Sequence, residues 1–422
     1  MRIETLKEIV VEQQQSIQTA NIGLERDGLA QVKRYFVLPQ VVIIAGIRRA
    51  GKSTLLSQIM NALGKTGYYF NFEDERLIGF TTEDFNRLYE VFVELYGEKK
   101  VFFFDEIQNV AGWERFVRRM HDRGFKFFIT GSNASLLSKE LGTKLTGREL
   151  TYTLYPFSFR EYLSFHGHAF NKQDVFETKK RALLKKYFLE FLSQGGMPEY
   201  VQYQNPESLK EVYNNILYRD IVARYGITET KSLRELSLYL LSNIGKLFSY
   251  NGLKKMLELG SVNTVKSYIE YLENSFLFFT LNRYDPSIKK QLAAQKKVYC
   301  IDTGFVDTMA FRFSENQGRI LENSVFLELK RRDGELYYYT TADGGEVDFL
   351  VRQGNRIREM IQVAWHVDDT ETREREIHNL LVAMNELNFD SAVLLTHETS
   401  DTIRVGHKRI LIQPVYQWLL ER

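Results

Sequence analysis

The chain has 422 residues, 44% hydrophobic and 14% aromatic, with 26% charged residues and a formal net charge of +2. That length points to about two to four domains, and the composition supports sizeable cores and excludes extensive disorder. No apolar run approaches the roughly 18 residues that span a bilayer, the amino terminus carries acids where a signal peptide has an apolar core, and the lone Cys300 cannot form an internal disulfide, so the chain reads as cytoplasmic, with no membrane partner and with Cys300 as a small buried residue.

Val41 to Ala45 is apolar and β-branched, as a buried parallel strand should be, and Thr54 to Leu63 has the spacing of an amphipathic helix. Between them, Gly46-Ile47-Arg48-Arg49-Ala50-Gly51-Lys52-Ser53 fits the phosphate-loop pattern G-x-x-x-x-G-K-[ST] at every fixed position. The glycines let the backbone turn its N–H groups and the helix amino terminus toward an anion. Gly46 to Thr54 therefore reads as a nucleotide cradle, in which Lys52 neutralises the β/γ-phosphates and the Ser53 hydroxyl ligates Mg2+.

Tyr68 to Phe72 reads as a second strand, and Val101 to Phe104 as a third that ends in Asp105-Glu106. An apolar strand ending in an acidic pair, placed after a phosphate loop, is the Walker B arrangement: Asp105 holds the metal and Glu106 deprotonates the attacking water. A fourth strand, Phe125 to Ile129, ends in Thr130-Gly131-Ser132-Asn133, a polar tip at the edge of a parallel sheet where ligands bind. Ser132 or Asn133 either contacts the γ-phosphate or lytic water, or caps a helix starting at Ala134. Arg148, before a fifth strand from Leu150 to Leu154, either supplies positive charge to the transition state or makes a surface ion pair. Asn171-Lys172-Gln173-Asp174 matches a guanine-reading motif, but no buried strand precedes it, so adenine is the better assignment.

Together, GIRRAGKST, FFFDEIQNVAGWE, ITGSNASLLS and LTGRELTYTLYPFSFREYL resemble the AAA-type prokaryotic ATPases that join an amino-terminal ATPase domain to a carboxy-terminal domain catalogued as DUF4143. Tyr218 to Val222, Leu321 to Phe326 and Gly345 to Phe349 agree with that resemblance. It implies binding and hydrolysis of ATP with Mg2+, a winged-helix segment and a nuclease-like fold. The fold class is therefore α/β: a P-loop NTPase parallel sheet at 1–165, a helical lid at 166–230, a winged helix-turn-helix at 231–296 and a restriction-endonuclease-like domain at 297–422. Relatives of the AAA type often form rings, so a homo-oligomer is in view and Arg148 acts in its own or a neighbouring subunit.

Lys179 to Phe191 has helical spacing, and its Lys179-Lys180-Arg181 and Lys185-Lys186 clusters read as a solvated face or, alternatively, as contacts to nucleic acid. Residues 231–300 hold eleven Lys and Arg against five Asp and Glu, so a surplus of six is local and the rest of the chain carries −4. Helices broken at Ser249 to Asn251 and Gly260 to Asn263 suggest a helix-turn-helix with Thr264 to Tyr268 opening a recognition helix. Phe278 to Tyr284 would begin a wing, with Arg283, Lys289, Lys290, Lys296 and Lys297 as phosphate contacts to DNA; the alternative is a winged helix that serves domain packing or protein contacts.

The last part alternates strands and helices in an order that resembles the PD-(D/E)xK nucleases, whose active members use a helix acid, a strand Asp and an E-x-K to hold metal. Glu322 and Asp348 take the first two places, but Gln362-Val363-Ala364 stands where E-x-K belongs. Glutamine is a poor magnesium ligand beside a carboxylate, and alanine offers no ammonium group. Glu359 lies at an odd offset on the strand and faces the other side. The domain thus reads as a degenerate nuclease, with Lys330, Arg331 and Arg332 as phosphate contacts or surface charge. The whole is read as an ATP-driven switch or motor coupled to DNA or a partner; the alternatives are a scaffold that binds ATP without turnover and a metal-dependent nuclease.

Overall fold

The computed structural model describes residues 1–133, 147–170, 172–310 and 317–421. The chain forms two compact units, Met1–Tyr155 with Asn274–Phe276, and Pro156–Glu273 with Leu277–Arg422.

Unit 1 is built on a five-stranded parallel sheet of β1 (Val41–Ala45), β2 (Tyr68–Asn71), β3 (Val101–Asp105), β4 (Lys126–Gly131) and β5 (Glu149–Thr153), in the order β2-β3-β4-β1-β5. This is the sheet of a P-loop NTPase, with β4 inserted between the phosphate-loop strand and the acidic strand. Both faces are covered, so alternate residues of each strand enter different cores. Phe70, Phe102, Phe104, Phe127 and Ile129 meet the helices α1 (Ile3–Thr19), α2 (Asp84–Tyr96) and α3 (Trp113–His121) on one face. Val42, Ile44, Phe103 and Phe128 meet the helix Lys52–Ala62 on the other.

Strand β2 lies at an open edge, where unpaired backbone groups invite aggregation. Two glutamines of α1 cover it: Gln14 accepts from the Tyr69 amide at 3.0 Å, and Gln13 accepts from the Asn71 amide at 2.8 Å while donating to the Asn71 carbonyl at 3.1 Å.

Unit 2 contains a nine-stranded mixed sheet. Its first part runs through a helix Thr230–Ser242, β6 (Leu247–Phe248), the helices Tyr250–Met256 and Val262–Asn274, then β7 (Phe278–Arg283) and β8 (Lys296–Cys300). β6 and β7 both pair antiparallel with β8. The boundary read at 296/297 falls inside this paired set, and β7 also continues the sheet by pairing with β9 (Glu335–Thr340). The helix α4 (Gln317–Arg331) precedes β9, and β10 (Glu346–Gln353) and β11 (Arg356–Ala364) complete an antiparallel run. The helix α5 (Thr370–Glu386) then crosses to β12 (Ser391–Thr396), which pairs parallel with β11. Two further strands, β13 (Asp401–Val405) and β14 (Lys408–Pro414), extend the sheet beyond the expected elements.

Local signals explain several family-like segments as structural. Ser158 and Glu161 form a reciprocal capping box at the helix Phe159–Phe165. Asn323 clamps the backbone of Cys300, accepting from its amide at 2.8 Å and donating to its carbonyl at 3.0 Å. Tyr218-Arg219-Asp220 lies in a π-helical stretch, Asn215–Val222. Cys300 is buried, which pushes its thiol up. Residues 172–176 form a 3-10 turn, while Asn171 of the rejected guanine motif lies outside the described residues.

The aromatic core makes a clear stability test. Phe102 is fully buried, with its ring stacked on Phe127 at 4.8 Å. Phe102→Ala should cost about 3–5 kcal/mol, read as a lower urea midpoint with an unchanged slope.

Candidate nucleotide-binding site

Because β1, β3 and β4 are parallel neighbours, their carboxyl ends bring the phosphate loop, Asp105-Glu106 and Ser132-Asn133 to one sheet edge. The loop needs its glycines. A Cβ on Gly46 would lie 2.2 Å from the Leu154 carbonyl oxygen, and Gly51 precedes the helix at φ +93°. Arg49 also takes positive φ, at 61°.

Lys52 is 4% exposed, and its ammonium contacts the Ile47 carbonyl at 3.2 Å and Glu106 Oε1 at 3.2 Å. Gln108 donates to the other oxygen of Glu106 and to Ser132 Oγ at 3.3 Å. Burial works against the charge on Glu106, but Lys52 and the Gln108 bond outweigh it and hold this carboxyl below its usual range. Glu106 itself takes φ 49°, a left-handed conformation uncommon outside glycine.

Asp105 is 1% exposed. Thr130 donates to its Oδ1 and the Tyr69 hydroxyl donates to its Oδ2 at 3.2 Å, while the nearby Ser53 hydroxyl favours the charged carboxylate. Burial, with the neighbouring Glu106 charge, pushes the Asp105 carboxyl up against these bonds. Ser53 and Asp105 present adjacent oxygen donors, a set that suits magnesium. Thr130 also accepts from the Glu106 amide at 2.9 Å, so one hydroxyl fixes both acids.

Ser132 and Asn133 are both buried at this edge, but a helix from Ala134 lies outside the described residues. Arg48 pairs with Glu73 at 3.0 Å beside the loop. Arg148 is not brought to the site. Its carbonyl accepts from the Val41 amide, at the opposite end of β5 from Thr153, which aligns with Ala45. Five residues of extended strand separate the two ends by about 16 Å. The Arg148 guanidinium instead faces Asp122 at 3.1 Å, which corrects any role in its own chain's phosphate chemistry.

Tyr69, Gln108, Thr130 and Arg26 were not found by sequence reasoning. Thr130 sits within the polar strand tip, and Gln108 two residues beyond Glu106, so both had a positional signal. Arg26 had none. It is 3% exposed, donating to the Ala50 carbonyl at 2.7 Å and the Tyr155 carbonyl at 2.7 Å, which ties the phosphate loop to the end of the sheet.

The second candidate site, in unit 2, is organised differently. Glu322 and Asp348 do come together, but around Lys297, which is 1% exposed. Its ammonium lies 2.9 Å from Glu322, 2.8 Å from Asp348 and 2.8 Å from Glu346. Burial opposes that charge, yet the surrounding carboxylates hold the ammonium well above its ordinary value. Gln362 accepts from the Asp348 amide at 3.0 Å and donates to Glu376 at 2.8 Å. Glu359 is half-buried and pairs with Arg358, away from this cluster.

The basic residues read as phosphate contacts are mostly engaged in the fold. Lys297 is buried, Lys296 donates to Asn282 at 2.6 Å, and Arg283 pairs with Asp285 at 3.7 Å; Lys289 and Lys290 alone of that set are exposed. Val265 and Tyr268 of the expected recognition helix are buried, leaving Lys266 as the exposed cation at its start. Arg331 donates to the Pro156 and Phe157 carbonyls, Arg332 stacks 4.0 Å over Trp418, and Lys330 lies 5.8 Å over Phe279, so none of the three is simple surface charge. Lys180, Lys185 and Lys186 pair with Asp174, Glu398 and Glu190. No described helix is long and apolar enough to cross a membrane.

Arg26→Ala should lose about 3 kcal/mol, because two buried carbonyls are left without their donor. Arg26→Lys should not restore it, since one ammonium lacks the planar fork that spans both carbonyls. Thermal unfolding of the two variants checks this.

Comparison with known proteins agrees with this geometry. Residues 38–163 match the family model described as an AAA domain, residues 185–316 one of unknown function, and residues 317–416 the domain of unknown function DUF4143. An uncharacterized protein of Methanocaldococcus jannaschii is 37% identical over 399 residues, covering 90% of this chain and 88% of that protein. An uncharacterized protein of Haemophilus influenzae is 32% identical over 398 residues, covering 90% and 94%. Among solved structures, the RuvB Holliday junction branch migration motor of Thermotoga maritima is 16% identical with a TM-score of 0.30, covering 69% of this chain and 94% of that one, a likeness too slight to carry any statement about this chain. Matches at 37% and 32% identity over 90% of the chain, with the AAA and DUF4143 models in order along it, mean that the chain belongs to the family that joins an amino-terminal AAA domain to a carboxy-terminal DUF4143 domain.

Proposed function

We propose that the chain is a Mg-dependent ATPase whose nucleotide state switches what its carboxy-terminal region holds. The observation that carries this is the placement of Lys52 between the phosphate loop and Glu106, with Gln108 linking Glu106 to Ser132. The ammonium of Lys52 is a point charge that the β/γ-phosphates of ATP compete for. As the phosphates draw Lys52 toward them, Glu106 loses its strongest counter-charge and becomes a better base for the attacking water. Ser132 then stands beside that water, and Gln108 keeps Glu106 aimed at it. Magnesium, when bound, would be held by Ser53 and Asp105 and would neutralise charge on the β- and γ-phosphates.

Residues 231–300 are read as a winged helix that binds DNA. The helix, short strand, two helices and antiparallel pair, with β6 and β7 flanking β8, support that reading. Its exposed cations Lys246, Lys255, Lys266, Lys289 and Lys290 supply the phosphate contacts. Helix α4, the antiparallel strands β9 to β11, and the crossover through α5 to parallel β12 support a nuclease-like core for the last part.

Glu106→Gln should bind ATP at least as tightly as the parent, since Lys52 no longer has a carboxylate to hold it, while turnover falls about 100-fold or more. Normal phosphate release by this variant would remove Glu106 from the mechanism, and negligible release by the parent, with ATP still bound, would favour a scaffold. Lys52→Ala should weaken ATP binding about 10- to 100-fold, as expected for losing a charged hydrogen bond to phosphate; unchanged affinity would count against the site.

For DNA, duplex affinity measured by anisotropy should fall steeply with salt. Replacing both Lys289 and Lys290 by Glu should lower the slope of log K against log salt by about 2. Absent or salt-independent binding would leave this segment to protein contacts.

A further inference from the structure

The acidic cluster of unit 2 stands where the nuclease reading places a divalent metal, yet with Lys297 among the acids their oxygens are already taken and the parent chain leaves no place for one. A metal there would be held by Glu322, Asp348 and an acid at position 362. Position 362 is a glutamine with both ends engaged, one by the Asp348 amide and the other by Glu376. The second oxygen of Asp348 accepts from the Val363 amide at 2.9 Å, and the bonded oxygen of Glu322 also accepts from the Tyr299 hydroxyl at 2.6 Å. Among the described residues no group of three or more His, Cys, Asp or Glu is arranged to hold a metal ion.

What fills the position is a side chain. The Lys297 ammonium is within 2.9 Å of Glu322, Glu346 and Asp348, contributed by α4 and β10, while Lys297 itself lies on β8. An ammonium with three hydrogens donates to at most three acceptors, and here each acceptor is a carboxylate. Buried carboxylates without a counter-charge are strongly unfavourable. A cation at this point is therefore required by the acids themselves, and the chain supplies it.

We propose that Lys297 is a tethered cation that replaces the divalent metal of a nuclease-like site, so that the acids are kept for architecture and a metal site of Glu322, Glu346 and Asp348 lies latent beneath it. The cluster joins β8 of the helix-rich segment to α4 and β10, which makes it a lock within unit 2 and not a cleavage centre. This inference stands independently of ATP hydrolysis in unit 1.

The test is Mn2+ binding and thermal unfolding of the nucleotide-free full-length chain, with Mn2+ alone as the probe. The parent should bind no Mn2+ in unit 2, and its midpoint should not move with millimolar Mn2+. Lys297→Ala should unfold at a lower temperature and be restored by Mn2+, with one additional Mn2+ bound per chain, and adding Asp348→Asn to that variant should abolish both effects. Should Lys297→Ala fail to fold, its recovery as folded protein when produced and purified in Mn2+ supports the proposal, and its remaining unfolded there overturns it. Mn2+ stabilisation of the parent that is lost on Asp348→Asn would also overturn it, as would a folded Lys297→Ala indifferent to Mn2+. Nicking of a plasmid by the parent that disappears in Asp348→Ala would count against it as well.

Discussion

A buried ammonium has to be met by carboxylates, and both candidate sites in this protein are organised by that requirement. Lys52 and Lys297 are 4% and 1% exposed, depths at which an unpaired charge is not tolerated. They differ in how completely the requirement is met. Lys52 has one carboxylate, Glu106, and one backbone carbonyl, so a phosphate can compete for it. Lys297 has three carboxylates, so none of its N–H groups is left over for a ligand. The first arrangement suits exchange with a ligand, and the second suits permanence.

The parallel sheet of unit 1 gives the exchangeable site its precision. Thr130, at the tip of the inserted strand β4, bonds both Asp105 and the Glu106 amide, so the acidic pair is positioned by its neighbour strand as well as by Gln108 of its own loop. Arg26 secures the phosphate loop from below through the Ala50 and Tyr155 carbonyls. The stacked phenylalanines of β3 and β4 provide a rigid floor for both, since dense aromatic packing resists displacement.

Charge counted along the sequence proved a poor guide to charge presented at the surface. Of the basic residues read around the wing, Lys289 and Lys290 face outward, whereas Lys296 and Lys297 are drawn in by Asn282 and by the acidic cluster. A strand alternates its faces, so adjacent lysines such as Lys296 and Lys297 point to opposite sides, and one of the two can be buried. The strand itself carried a hint: Lys297 shares a face with Tyr299 in an otherwise apolar run, and both side chains reach Glu322.

By itself the sequence determined what is local and periodic. The glycines and lysine of the phosphate loop, the apolar strand before Asp105-Glu106, and the helices at Thr178–Gln194 and Val262–Asn274 follow from spacing that each segment carries alone. The pairing of Glu322 with Asp348 was readable from the order of elements. Tertiary structure decided the rest, because it depends on contacts between residues far apart in the chain. Parallel register put Arg148 at the wrong end of β5 for its own phosphate loop, and packing brought Arg26 to Ala50. The fold also carried Lys297 across 25 and 51 residues of sequence to Glu322 and Asp348. No window of sequence contains those distances, since a buried charge chooses its partners only after the chain has closed around it.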